Sequence, residues 1–182
     1  MSLKELTYEH HRNAERQEFV KVLMSGSIDP KLYATFLYNQ YINYNILETI
    51  AMAQGVLNGL PDVRRAPKIL ADYTELWEDT ATPPKTMPSG KQYADHIMSI
   101  ATDSEKLMAH IYTRHMGDLS GGQMIRKKIP GKGTMFDFED ADSLKTAIRE
   151  RLNDNMADEA RICFDFATKL FQEMMDEVKP ST

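Results

Sequence analysis

Apolar residues recur at intervals of three and four along almost the whole of this chain. Nowhere do Val, Ile and Thr alternate with polar residues over the length of a strand. That pattern confines the fold to packed helices. Residues 3–16 predict a first helix with Leu3, Leu6, His10, His11 and Ala14 along one side, and a shorter one follows with Phe19, Val22 and Leu23. Asp29 before Pro30 reads as an N-cap and a first helical position. Tyr33, Phe36, Leu37, Gln40, Tyr41, Tyr44 and Leu47 mark a long helix expected over 31–56. Further helices are expected over 62–79, over 91–129 with a break near 102–104, and over 143–178 with a bend near 153–155. The loops are 80–91, which holds three of the eight prolines, and 130–142. Neither cuts off a piece able to fold alone, so the 182 residues are expected to form one all-α domain, a helical bundle spanning 1–182.

Twenty-two basic residues against 27 acidic ones leave a net charge of −5, which argues against nucleic acid as a partner. A single cysteine, Cys163, cannot close an intramolecular disulfide or build a multi-cysteine metal site. A reducing compartment is expected. The opening MSLKELTYEHHRNAERQEF lacks the apolar core of a signal peptide, and no apolar run is long enough to span a membrane. The expectation is a soluble cytoplasmic protein with no membrane partner.

Within that helical frame, YTRHMGDLSGGQMIRKK (112–128) is costly. Three of the nine glycines fall there, at Gly117, Gly121 and Gly122. Each mid-helix glycine costs about 1 kcal/mol relative to alanine, roughly 3 kcal/mol together. Gly117 and Gly121 are four apart and share a face, which without Cβ atoms bares the backbone to a flat ligand or to another helix. Arg114 and Asp118 lie on the neighbouring strip, also four apart. A carboxylate there could order water above a bound ligand. Close helix packing plus a surface Arg–Asp pair explains the same spacing.

His11 and Glu15 are likewise four apart on one face. A neutral imidazole can bind a metal through one nitrogen while a carboxylate fixes the other, although a solvated His–Glu pair has the same spacing. One histidine cannot hold zinc alone, but it can be the sole protein ligand of heme iron, because the porphyrin supplies the remaining equatorial ligands. Twelve methionines and a tyrosine-rich third helix suit an adaptable apolar pocket, and equally a plain core.

YTRHMGDLSGGQ resembles the distal-helix signature of the heme oxygenases. HRNAERQEF is similar to their proximal segment, and EARICFDFATKLFQEM to their last helix. The resemblance runs from about Lys4 to Val178. It implies an all-α fold with heme, as substrate and cofactor, held between a proximal and a distal helix. It implies His11 as the iron ligand supported by Glu15, with His10 as the fallback. Asp118 would order water near bound oxygen, with Arg114, Tyr41 and Tyr93 in the same network. Tyr112, Gly117, Ser120, Gly121, Gly122 and Phe164 would lie at the heme. Lys4, Lys145, Ile148 and Arg149 would meet its propionates, and a basic pair four apart suits two carboxylates. Two positions depart from the family pattern: His115 stands in place of tyrosine, and Ala167 in place of an asparagine.

The implied reaction is oxidative opening of the ring, at the α-meso carbon by family default, to biliverdin, carbon monoxide and ferrous iron. The implied partners are O2, ferredoxin as electron donor and a downstream bilin reductase. Arg126–Lys132, with Lys145, Arg149 and Arg151, is the best candidate for docking an acidic donor. A non-catalytic heme-binding protein and a helical enzyme with another cofactor are the competing readings; no paired Glu-x-x-His motifs support a di-iron bundle.

Overall fold

In the computed structural model, which describes residues 1–178, Asp29 starts the longest helix. Its carboxylate accepts the Leu32 N–H at 3.1 Å, and Pro30 takes the first position, where its missing donor costs nothing. The helices are α1 (Leu3–Leu6), α2 (Tyr8–Glu15), α3 (Glu18–Met24), α4 (Pro30–Ala53), α5 (Ala66–Leu76), α6 (Pro88–Ser99), α7 (Ser104–Ser120), α8 (Gly122–Arg126), α9 (Ala141–Arg149) and α10 (Ala157–Asp176). Two short 3-10 turns, Thr134–Phe136 and Asp154–Met156, complete the order, and there is no strand among the described residues. None of these helices is long and apolar enough to cross a membrane.

Two apolar clusters hold them together. Leu47, Ile97, Leu107, Ile111, Leu144, Ile148 and Ala160 form one, joining α4, α6, α7, α9 and α10. Phe19, Tyr33, Leu37, Ile69, Phe136 and Leu170 form the other, joining α3, α4, α5 and α10. Each fully buried large side chain contributes about 1.5–3 kcal/mol. The helices α4 and α10 run through both clusters and set where the remaining ones sit.

Several boundaries differ from the sequence expectation, each for a local reason. The first helix breaks at Thr7, whose hydroxyl donates to the Leu3 carbonyl at 2.9 Å and competes with the helical ladder. The end of α4 comes at Ala53, because turns through Gly55 and Gly59, both at positive φ, follow at once. Asp62 adopts φ 58° and α5 waits until Ala66. Pro88, read from sequence as loop, instead opens α6 at its first turn. The expected final helix is split into α9 and α10 by residues 150–156.

A buried polar node ties α4, α5 and α7 together. Glu48 of α4 is fully buried and accepts from the Arg65 N–H at 2.6 Å, the Ala66 N–H at 3.0 Å and His115 Nε2 at 2.8 Å. His115 Nδ1 faces the Ile111 carbonyl at 3.0 Å. Arg65, also fully buried, donates to the carbonyls of Met135 and Asp137 at 3.0 and 2.6 Å, and its guanidinium lies 3.8 Å from the Phe138 ring centre. Asp72 accepts the Thr134 and Met135 N–H groups, both at 2.8 Å. The expected loop 130–142 is therefore pinned from below, which brings Phe136 against the glycine-rich segment.

Candidate functional site

The last turns of α7 hold the candidate site residues Arg114 and Asp118. Arg114 is buried by its position against α6: its Nε donates to the Tyr93 hydroxyl at 3.1 Å, and its guanidinium lies 4.3 Å from the Tyr93 ring centre. Its Nη2 is buried with no partner among the described residues, a donor that water or ligand can take up. Four residues on, Asp118 is half-buried, and its Oδ2 accepts the Tyr44 hydroxyl at 2.7 Å. Burial pushes the Asp118 carboxyl up from its ordinary 3.8 to about 6, against the opposing pull of His115, the Tyr44 hydrogen bond, Arg65 and Arg114. A carboxyl poised there exchanges a proton near neutrality, which is what general acid–base work needs.

The three glycines separate into two kinds. A Cβ on Gly122 would come within 2.6 Å of the Phe136 ring, so this glycine exists for packing. A Cβ on Gly117 would meet nothing within 4 Å, and on Gly121 only the Gly117 carbonyl at 3.7 Å. Gly117, Ser120 and Gly121 are exposed, so this strip carries no side chain larger than serine and is open to a ligand. Gly122→Ala is expected to destabilise by about 1–3 kcal/mol through overpacking, whereas Gly117→Ala stabilises the ligand-free protein by up to about 1 kcal/mol through helix propensity. Urea unfolding of the two variants checks that contrast in sign.

On α2, His11 and Glu15 meet, with His11 Nε2 to Glu15 Oε1 at 2.7 Å, while the imidazole remains partly exposed. Its Nδ1 has no hydrogen bond among the described residues. The ring stacks on Phe164 of α10 at 5.1 Å between centroids. His10 turns elsewhere, its Nδ1 2.8 Å from Asp165 Oδ1. One imidazole is thus committed to α10 and the other has a nitrogen to offer.

Tyr112 is half-buried near Thr7 and Arg149; burial raises its pKa and these two neighbours oppose the rise. Lys4, Lys145 and Arg149 make no ion pair among the described residues and remain available for an anionic ligand, while Ile148 is fully buried in the core. In the expected donor-docking patch, Arg126 is paired with Asp137 and Arg151 donates to the carbonyls of Val56 and Asn58. Lys127, Lys128 and Lys132 are exposed without such partners.

Tyr41 is half-buried against the second apolar cluster, and the tyrosine that reaches Asp118 is Tyr44. The helical period puts both on neighbouring faces of α4, and only the helix's orientation selects Tyr44. Sequence reasoning also missed the chain from Tyr93 to His110 Nδ1 at 2.7 Å and from His110 Nε2 to Glu159 at 2.8 Å. His110 stands four residues before Arg114, a spacing that could have signalled it. Two open concavities, of about 340 and 300 Å3, lie along 142–150 and 52–64 and contain none of these groups. His11 and the bare strip of α7 instead face open surface.

Comparison with known proteins bears on what binds there. A family model described as Heme oxygenase matches residues 1–173. Heme oxygenase 1 of the cyanobacterium Synechocystis sp. is 30% identical over 202 residues, covering 94% of this chain and 82% of that protein. Heme oxygenase 2 of Macaca fascicularis is also 30% identical, over 94% of this chain, and the chain spans 64% of the length of that relative. The crystal structure of Synechocystis heme oxygenase-1 in complex with heme superposes with a TM-score of 0.83 at 26% identity, covering 96% of this chain and 91% of that one.

Proposed function

The chain belongs to the heme oxygenase family, and on that premise we propose that it opens the heme ring oxidatively at the α-meso carbon, releasing biliverdin, carbon monoxide and ferrous iron. Heme is the substrate and brings the iron at which O2 reacts. One observation carries the reading: the Asp118 carboxyl, which burial pushes up to about 6, follows directly on Gly117, where a Cβ would meet nothing within 4 Å.

His11 is the iron ligand in this proposal, with Glu15 fixing the opposite nitrogen of its ring and Phe164 supporting its face. Gly117, Ser120 and Gly121 let the distal helix approach the ring to van der Waals contact. That approach leaves room near the iron only beside the strip, toward one edge of the macrocycle. Asp118 holds water there and passes a proton without touching the substrate, while Tyr44 sets the direction of its carboxylate. The orphaned Nη2 of Arg114 anchors the same water, and Tyr93 holds the guanidinium in place. Lys4, Lys145 and Arg149, the last of them near Tyr112, take the propionates.

The electrons come from reduced ferredoxin in this proposal. Lys127, Lys128 and Lys132 offer an exposed cationic surface to such an acidic donor in a protein whose net charge is −5. The product passes to a bilin reductase in the cytoplasm, where the lone buried Cys163 stays reduced.

Full-length protein mixed with hemin, reduced ferredoxin and O2 is expected to give biliverdin of the α isomer, identified by chromatography. Intact heme after many reducing equivalents sinks the enzymatic reading and leaves a heme-binding protein. Another isomer sinks the regiochemistry alone, and equal turnover without ferredoxin sinks the donor. His11→Ala is expected to lose the five-coordinate histidine-ligated spectrum and to regain it with added imidazole. An unchanged spectrum transfers the ligand role to His10.

A further inference from the structure

A second cluster of ligating side chains lies outside the proposed heme contacts, where α6, α7 and α10 meet. His110 is fully buried on α7, and Glu159 of α10 is nearly so. His96 of α6 lies at the edge, with 23% of its side chain exposed. Glu159 Oε1 is hydrogen-bonded to both imidazoles through their Nε2 atoms, at 2.8 Å in the case of His110. The three donor atoms lie within 4.8 Å of one another.

We propose that His96 Nε2, His110 Nε2 and a Glu159 carboxylate oxygen form a binding site for a first-row divalent transition metal, with zinc as the probe. Two imidazoles and a carboxylate are a ligand set that such ions accept, with the fourth position left to water. Tetrahedral ligands at about 2.0 Å from zinc sit about 3.3 Å from each other. The present separations are of that order, so the ion enters as each imidazole moves its proton from Nε2 to Nδ1, and Glu159 Oε1 exchanges two N–H donors for the metal. His96 stands at the solvent edge and provides the way in.

The surroundings of His110 suit the role. Its other nitrogen, Nδ1, is 2.7 Å from the Tyr93 hydroxyl, which also accepts from Arg114 Nε at 3.1 Å. With metal on Nε2, the ring carries its proton on Nδ1 and donates it to Tyr93. This outer hydrogen bond fixes tautomer and orientation, as is usual for metal-bound histidine. Phe166, 5.8 Å from the His96 ring centre, restricts that ring on its other side. Three helices contribute one ligand each, so the ion braces them against one another.

The test uses heme-free, tag-free full-length protein, so its outcome is independent of the heme reaction. Zinc at about a hundredfold excess over its Kd is expected to raise the Tm by about 5–10 °C. Cobalt in its place is expected to show the visible bands of a tetrahedral nitrogen–oxygen site. His96→Ala changes only the edge ligand, should fold, and is expected to abolish both signals; His11→Ala should leave both intact. Absence of any zinc response overturns the site and leaves a hydrogen-bonded clamp. A response that survives His96→Ala, or that disappears in His11→Ala, overturns it as well and assigns the ion elsewhere.

Discussion

Glu48→Ala is expected to lower the unfolding free energy by about 3–5 kcal/mol, the usual loss when one member of a buried pair is removed and the other remains. The substitution strands the fully buried His115 ring and leaves the Arg65 and Ala66 N–H groups without an acceptor at the start of α5. Burial raises the Glu48 pKa, but hydrogen bonds from His115, Arg65 and Ala66 outweigh it, and the carboxyl ends below its ordinary 4.5. A carboxyl depressed on folding contributes stability above its unfolded pKa and loses it as pH falls through the folded value. The gap between wild type and Glu48→Ala should therefore be constant near neutrality and narrow in acid. Pairing Glu48→Leu with His115→Leu should recover much of the loss, since an apolar pair of similar volume avoids the desolvation cost. Urea denaturation measures all three, and a loss below about 1 kcal/mol for Glu48→Ala would discount the node.

Asp118→Ala is expected to reduce biliverdin formation on the order of a hundredfold or more, the scale of a lost acid–base group. Heme affinity and the histidine-ligated spectrum should stay close to wild type, because the carboxyl acts through water. Tyr44→Phe removes the hydroxyl that orients the carboxylate and should give an intermediate loss. Normal yield from Asp118→Ala would remove this residue from the mechanism. The raised pKa has its own signature, of opposite sign to that of Glu48. Asp118 binds its proton more tightly folded than unfolded, so its contribution is fully present below 3.8 and is lost as pH rises through about 6. Asp118→Asn should therefore exceed wild type in stability at about pH 8, by about 1–2 kcal/mol once solvent screening of a half-buried group is allowed for, and match it in acid.

Much of this architecture is legible in the residues. The three-and-four spacing specifies helices, Asp29–Pro30 marks the start of α4, and the glycine segment marks the turn where α7 has open space beside Gly117. Local chemistry hides the rest. Thr7 gives no warning that its hydroxyl will end α1, and Pro88 in a proline-rich stretch looks like loop until a helix begins on it. Gly122 and Gly117 are indistinguishable in sequence; only the arrival of Phe136 from 14 residues away, held by Arg65 and Asp72, separates a packing glycine from an exposed one. Tyr41 and Tyr44 are equally plausible partners for Asp118 until α4 is oriented. His115, which looks like an unexplained departure from the family pattern, acquires a reason once Glu48 lies opposite it. Long-range pairing of this kind leaves no periodic trace in the chain.

Gly117 and Gly121, which have no side chains, set a gauge for thickness but provide no handle for rotation. In a heme complex of the proposed kind, backbone pressed on a nearly fourfold-symmetric disc cannot tell one quadrant from the next. The angular setting of the substrate must then be decided at its rim, by the cations at positions 4, 145 and 149. On that proposal, changes of charge there are expected to redirect which bridge is cut, and changes in the strip to decide whether any is cut at all.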